Sequence, residues 1–163
     1  MGILLTDATR AWADRTYPVH EVTITANDIR RFAHATGESD PVHFDAEAAR
    51  AAGYADVVAP PMFYVFLRVQ PNHLRPRHEL EADGSPSEDI PPVAIQGAMA
   101  GSTTLEVTRE FVAGDVISCH KRLVDAVEKS GSKGPLLFLT FEHRYVDAEG
   151  TTVVREVFTR ILR

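Results

Sequence analysis

A chain of 163 residues has the length of one domain with one sizeable core. Hydrophobic residues at 44% and charged residues at 25% exclude a disordered chain. A net charge of −6 repels a phosphate backbone and excludes nucleic acid as the expected partner.

Residues 1 to 18 read as a leader segment with a helical turn around Ala8 to Ala13. The run Ile3 to Leu5 is too short for export and nothing later reaches spanning length, so a cytoplasmic chain is expected. Val19 to Thr25 alternates as a strand and ends at the capping candidates Thr25 and Asn27. Asp28 to Thr36 carries Ile29, Phe32 and Ala33 at helical spacing, and Gly37 suits the left-handed residue that ends a helix. Asp45 caps a second short helix, Ala46 to Ala52, which Gly53 stops. Pro61 suits the first position of a third helix, and Met62 to Val69 is apolar on nearly every side, the pattern of an enclosed helix.

Five prolines between 71 and 92 predict an irregular lid or loop near the entrance to the interior. Beyond Val93 the pattern turns to β: a strand with Leu105, Val107, Arg109 and Phe111 on one face, then strands over Val116 to Glu128, Leu136 to Tyr145 and Thr151 to Leu162. The turns Ala113 to Asp115, Lys129 to Pro135 and Asp147 to Gly150 make these an antiparallel meander. An enclosed helix wrapped by a curved antiparallel sheet is an α+β domain of hot-dog type, with residues 1–163 forming one unit.

The dense cluster of ionisable groups is Glu38-Ser39-Asp40-Pro41-Val42-His43-Phe44-Asp45, between two short helices. A carboxylate and an imidazole on one loop can hold a water between them, one acting as base while the other passes the second proton. By chemistry alone, turn chemistry at Asp40-Pro41 and capping at Asp45 are the stronger account of two of the acids. His73, His78 and Asp83 lie on the irregular loop without metal-ligand spacing, and no metal or cofactor is expected. The single Cys119 cannot form an internal disulfide, and alternation sets it on the face opposite His120, as a core thiol.

The segment TGESDPVHFD followed by EAARAAGYADVVAPPMF resembles the MaoC-like family of hot-dog hydratases and dehydratases, closely over Val19 to Val69. The resemblance implies water addition to, or loss from, 2-enoyl/3-hydroxyacyl thioesters of coenzyme A or acyl carrier protein, as in fatty acid or polyketide metabolism. It also implies pairing, as a homodimer or as a heterodimer with another MaoC-like chain.

Against the family loop D-x-N-P-x-H, His43 matches the catalytic histidine, Asp40 the asparagine and Glu38 the catalytic aspartate. Glutamate for aspartate moves the carboxylate by about 1.5 Å, a misplacement that can cost ~10²-fold in rate. Active members carry a His-Gly pair where the enclosed helix begins, and the glycine N–H binds the thioester oxygen as charge develops. Here the segment is Ala59-Pro60-Pro61-Met62, and Pro61 has no N–H to give. By the same resemblance Pro61, Met62, Phe63 and Tyr64 are the substrate-binding candidates.

Two functions follow: a hydratase/dehydratase with His43 and Glu38 or Asp40 around the water, or a non-catalytic acyl-binding subunit for a catalytic MaoC-like partner. The departures at Glu38 and Pro61 favour the second. A thioesterase needs a carboxylate on the enclosed helix, and Met62 to Val69 has none.

Overall fold

The structure is a computed structural model that describes residues 4–71, 75–80, 84–93 and 97–163. After a single-turn helix α1 (Asp7–Arg10), strand β1 (His20–Thr23) leads into helix α2 (Ala26–Thr36). Thr25 and Asp28 form a reciprocal capping box at its start, and Gly37 closes it with φ +76°, the conformation glycine adopts at least cost. Helix α3 (Ala46–Ala51) is capped by Asp45, whose carboxylate accepts from the Glu47 and Ala48 amides. The caps Thr25 and Asp45 and the stop Gly37 are among those that the sequence pattern predicts, whereas α2 begins at Ala26 rather than Asp28, so Asn27 lies inside it, and α3 ends one residue early, at Ala51.

Helix α4 (Phe63–Val69) is the enclosed helix. Phe63, Tyr64 and Leu67 are buried, whereas Met62 is 51% exposed. The expected start is corrected here: Pro61 lies ahead of the helix in a turn closed by Phe63 N–H donating to Pro60 O, and Met62 is the N-cap residue. Seven residues make α4 only about 10 Å long, too short to run under the whole sheet.

Strands β2 (Ala98–Val107), β3 (Val116–Gly131), β4 (Gly134–Val146) and β5 (Thr152–Leu162) join β1 in an antiparallel sheet of order β1-β3-β4-β5-β2. This is the hot-dog arrangement. Several strand ends differ from the expectation, most clearly at the end of β2 and in the β3–β4 turn. Strand β2 ends at Val107 because Arg109 is drawn into ion pairs with Asp115 and Asp147. The β3–β4 turn tightens to Ser132 and Lys133, because Ser130 pairs with Pro135 and Gly131 with Gly134 at φ +129°.

The two sheet faces differ as the alternation of each strand requires. Across the outer face, Glu106, Arg155, Glu142 and Arg122 form a ladder of ion pairs through four strands. The inner face is apolar but carries two separate clusters. One surrounds α4 and includes Ile117, Cys119, Tyr145 and Val154. The other lies beyond the end of α4 and joins Tyr17, Ile90, Leu123, Leu137, Leu139 and Phe141.

Candidate functional site

His43 ends a single 3-10 turn, Pro41–His43, that Asp40 caps by accepting from the Val42 amide at 3.1 Å. The ring is buried at 9% exposure and its Nδ1 lies 2.7 Å from Val58 O. A carbonyl only accepts, so Nδ1 carries the proton and Nε2 keeps a lone pair. Glu38 is half-buried and Asp40 exposed. The loop therefore holds one imidazole in a fixed tautomer, with the Asp40 carboxylate engaged locally.

Phe63 sits in the core against Phe32, Phe66 and Phe111, with ring centroids 5.4, 5.0 and 6.3 Å away. Tyr64 is buried and its hydroxyl donates to Met62 Sδ at 3.7 Å. Pro61 and Met62 face solvent. Of the loop residues His73, His78 and Asp83, read from the sequence as lacking metal-ligand spacing, His73 and Asp83 lie outside the described residues, and His78 is exposed.

A cavity of about 510 Å³ opens elsewhere, at the C-terminal end of α4. Arg68 and Val69 form its roof, and Tyr17, Cys119, Lys121, Phe141, His143, Tyr145 and Phe158 its floor. One side is the proline-rich segment (Pro71, Arg75, Ser85, Pro86, Glu88 and Asp89), the predicted lid, and another is the start of β2 at Ala98 to Ala100. None of Glu38, Asp40, His43, Pro61, Met62, Phe63 or Tyr64 lines it.

A polar row crosses the inner face of the sheet, and of its members Lys121 and His143 line the cavity while Glu156 does not. Lys121, His143 and Glu156 are direct cross-strand partners on β3, β4 and β5, so their side chains share the inner face. The row lies between the two apolar clusters. Glu156 is fully buried and pairs with Arg68 of α4, Nη1 to Oε1 at 2.5 Å; Tyr145 Oη donates to its Oε2 at 3.5 Å. Lys121 Nζ pairs with Asp89 of the lid at 2.7 Å and lies over the Tyr17 and Phe141 rings. His143 Nδ1 lies 3.3 Å from Glu156 Oε2 but misaligned, and it is buried without a hydrogen-bond partner.

Burial dominates the electrostatics of this row. It lowers His143 to about 3, helped by the Lys121 and Arg68 cations, so the ring is neutral. It lowers Lys121 and raises Glu156, each against the pull of its ion-pair partner. It also pushes the Cys119 thiol up to about 12, which leaves no thiolate for nucleophilic chemistry.

These shifts give stability a sign with pH. His143 binds a proton more weakly folded than its ordinary 6.5, so its contribution is present above 6.5 and is lost as pH falls toward about 3. Glu156 works in reverse: its contribution is present below 4.5 and is lost as pH rises through its raised value. Thermal melts between pH 6.5 and 5 should show Tm falling with pH, and His143→Phe should flatten that slope. An unchanged slope in the variant contradicts the assignment.

Sequence reasoning did not single out His143, Glu156 or Arg68. The signal was present as two interruptions of alternation: His143 follows Leu137, Leu139 and Phe141, and Glu156 stands between Val154 and Phe158. A charged or polar residue on the apolar face of a strand requires a partner from elsewhere.

Residues 11–156 match a family described as FAS1-like, dehydratase domain region. A UPF0336 protein of Clavibacter michiganensis is 36% identical over 135 residues, 83% of this chain and 81% of that protein. A probable enoyl-CoA hydratase alpha subunit of Thermomonospora curvata is 31% identical over 140 residues, 83% of this chain and 43% of that protein. Among solved structures, a C-terminally truncated HadBC (3R-hydroxyacyl-ACP dehydratase) complex of Mycobacterium tuberculosis is similar with TM-score 0.69 and 21% identity, over 92% of this chain and 96% of that one. A MaoC-like dehydratase gives TM-score 0.71 and 23% identity, over 95% of this chain and 43% of that one.

Proposed function

This chain belongs to the FAS1-like dehydratase-region family of MaoC-like hot-dog proteins, and from that premise we propose that it is the acyl-binding member of a hydratase/dehydratase pair. The substrate is a 2-enoyl/3-hydroxyacyl thioester of coenzyme A or acyl carrier protein. The observation that carries the reading is the separation of the cavity from the His43 loop: none of the loop's ionisable groups lines it. The departures at Glu38 and Pro61 agree, since they affect the two groups that the chemistry needs most.

In this reading the partner supplies the carboxylate and imidazole that handle water, and the amide N–H that meets the thioester oxygen. The acyl chain enters this subunit past the edge strand β2, where Ala98 to Ala100 form the cavity wall. Val69, Phe141 and Phe158 contact the apolar part of the chain and exclude water.

A second reading, a self-sufficient hydratase, is favoured by the His43 geometry. With Nδ1–H donated to Val58 O, Nε2 is left as the acceptor that a reacting water requires. In that case Glu38 or Asp40 is the carboxylate on the other side of the water.

Loss of enone absorbance from a short 2-enoyl-CoA separates the two. The chain alone should be inert, and mixing it with a MaoC-like chain that keeps both D-x-N-P-x-H and His-Gly should give turnover that His43→Ala in this chain leaves nearly unchanged. Turnover by the chain alone that His43→Ala abolishes would establish the second reading instead.

A further inference from the structure

The deep floor of the cavity is built for something other than a hydrocarbon. A pocket for a plain alkyl tail needs only apolar walls, and the clusters on either side supply them. Between them the Lys121–His143–Glu156 row brings charged and polar atoms into the interior at a large desolvation cost. Two of the three have counter-charges: Glu156 has Arg68, and Lys121 has Asp89. His143 has none of good geometry.

The protonation pattern of the ring follows from its neighbour. Glu156 Oε2 lies 3.3 Å from Nδ1, and Arg68 supplies the counter-charge of that carboxylate. A lone pair on Nδ1 would face the carboxylate oxygen and be repelled, so the single proton of the neutral ring belongs on Nδ1. Nε2 is then the acceptor of a ring that lines the cavity, and the buried ring atom without a hydrogen-bond partner is Nδ1. An acceptor asks for a donor.

We propose that the cavity takes an acyl chain bearing a hydroxyl group well away from the thioester, and that His143 Nε2 accepts the hydrogen bond from that hydroxyl. The inference rests on reading this cavity as the acyl site and adds the class of chain that it selects. A saturated tail offers Nε2 no donor, whereas a hydroxyl does. A site made to hydrogen-bond a substrate hydroxyl discriminates strongly against the analogue lacking it. The burial that lowers His143 to about 3 keeps the ring an acceptor at every pH where the protein works. Arg15, which lines the cavity, stacks on Trp12 with 4.0 Å from its guanidinium carbon to the ring centroid, so the fluorescence of the single tryptophan offers a readout of occupancy.

The test is a titration of the chain with dodecanoyl-CoA and with its monohydroxylated isomers, the hydroxyl moved from mid-chain to the methyl end, by tryptophan fluorescence and calorimetry. One isomer should bind at least ~10-fold tighter than dodecanoyl-CoA, about the effect of one added hydrogen bond. His143→Phe should erase that preference while still binding dodecanoyl-CoA, and His143→Gln, which retains an acceptor, should keep part of it. Equal binding of all isomers and of dodecanoyl-CoA by the unmodified chain overturns the hydroxyl assignment and leaves the acyl-site reading standing. A preference that survives in His143→Phe overturns the role of His143. If no ester binds, the acyl-site reading itself fails. The isomer series needs no variant, so it decides even where His143→Phe does not fold.

Discussion

Glu156→Leu is expected to destabilise the protein by about 3–5 kcal/mol, read as a fall in the urea midpoint at unchanged m-value. The carboxylate is fully buried and its partner Arg68 is only 25% exposed, so the variant leaves a guanidinium in the interior without its counter-charge. Removing both charges should do less harm than removing one: Arg68→Met with Glu156→Leu replaces the pair by apolar side chains of similar length and should regain most of the loss. A single variant that loses less than about 1 kcal/mol would mean that water reaches the pair and screens it. A double variant as unstable as the single one would place the cost in packing instead.

Val107→Glu is expected to weaken association of the chain with its partner by at least ~10²-fold, measured by sedimentation, with an unchanged far-UV spectrum. Strand β2 is one edge of the sheet, paired among the described residues with β5 alone. Its Val107 sits opposite Val154 on the inner face, and Val154 is buried while Val107 is 58% exposed. An apolar residue on the core-facing side of an edge strand, next to exposed Leu105 at 37%, is a face that lacks its cover. If the cover is a second copy, the unmodified chain alone sediments as a dimer and the variant as a monomer. If it is another MaoC-like chain, only the mixture responds. Val127→Glu, at an exposed valine on β3, is the control and should leave association intact.

The parts of the fold that were legible in the sequence are those set by local chemistry. The Thr25 cap, the Asp45 cap and the Gly37 stop each act over a few residues, and each is found where the pattern puts it. The apolar run Met62 to Val69 gave the enclosed helix and hence the hot-dog assignment. The strand ends were less legible because distant partners decide them: Arg109 leaves β2 for Asp115 and Asp147, and Asp147 is 38 residues away. For the site, the sequence drew attention to a contiguous loop, Glu38 to Asp45. The cavity instead gathers residues from both ends of the chain, from Arg15 to Arg160, and its polar row becomes visible only when β3, β4 and β5 are placed side by side.

The division of the inner face into two apolar clusters bears on how the molecule comes apart. A continuous core tends to melt as one cooperative unit, whereas apolar regions held together through charged groups share fewer contacts that reward simultaneous folding. The half formed by Tyr17, Ile90, Leu123, Leu139 and Phe141 is joined to the helix-bearing half through the strands and the Arg68–Glu156 pair. This arrangement predicts that amide exchange in this half is faster than in the half around α4. If the cavity holds the acyl chain as proposed, a long guest touches both clusters at once and by mass action couples them more tightly.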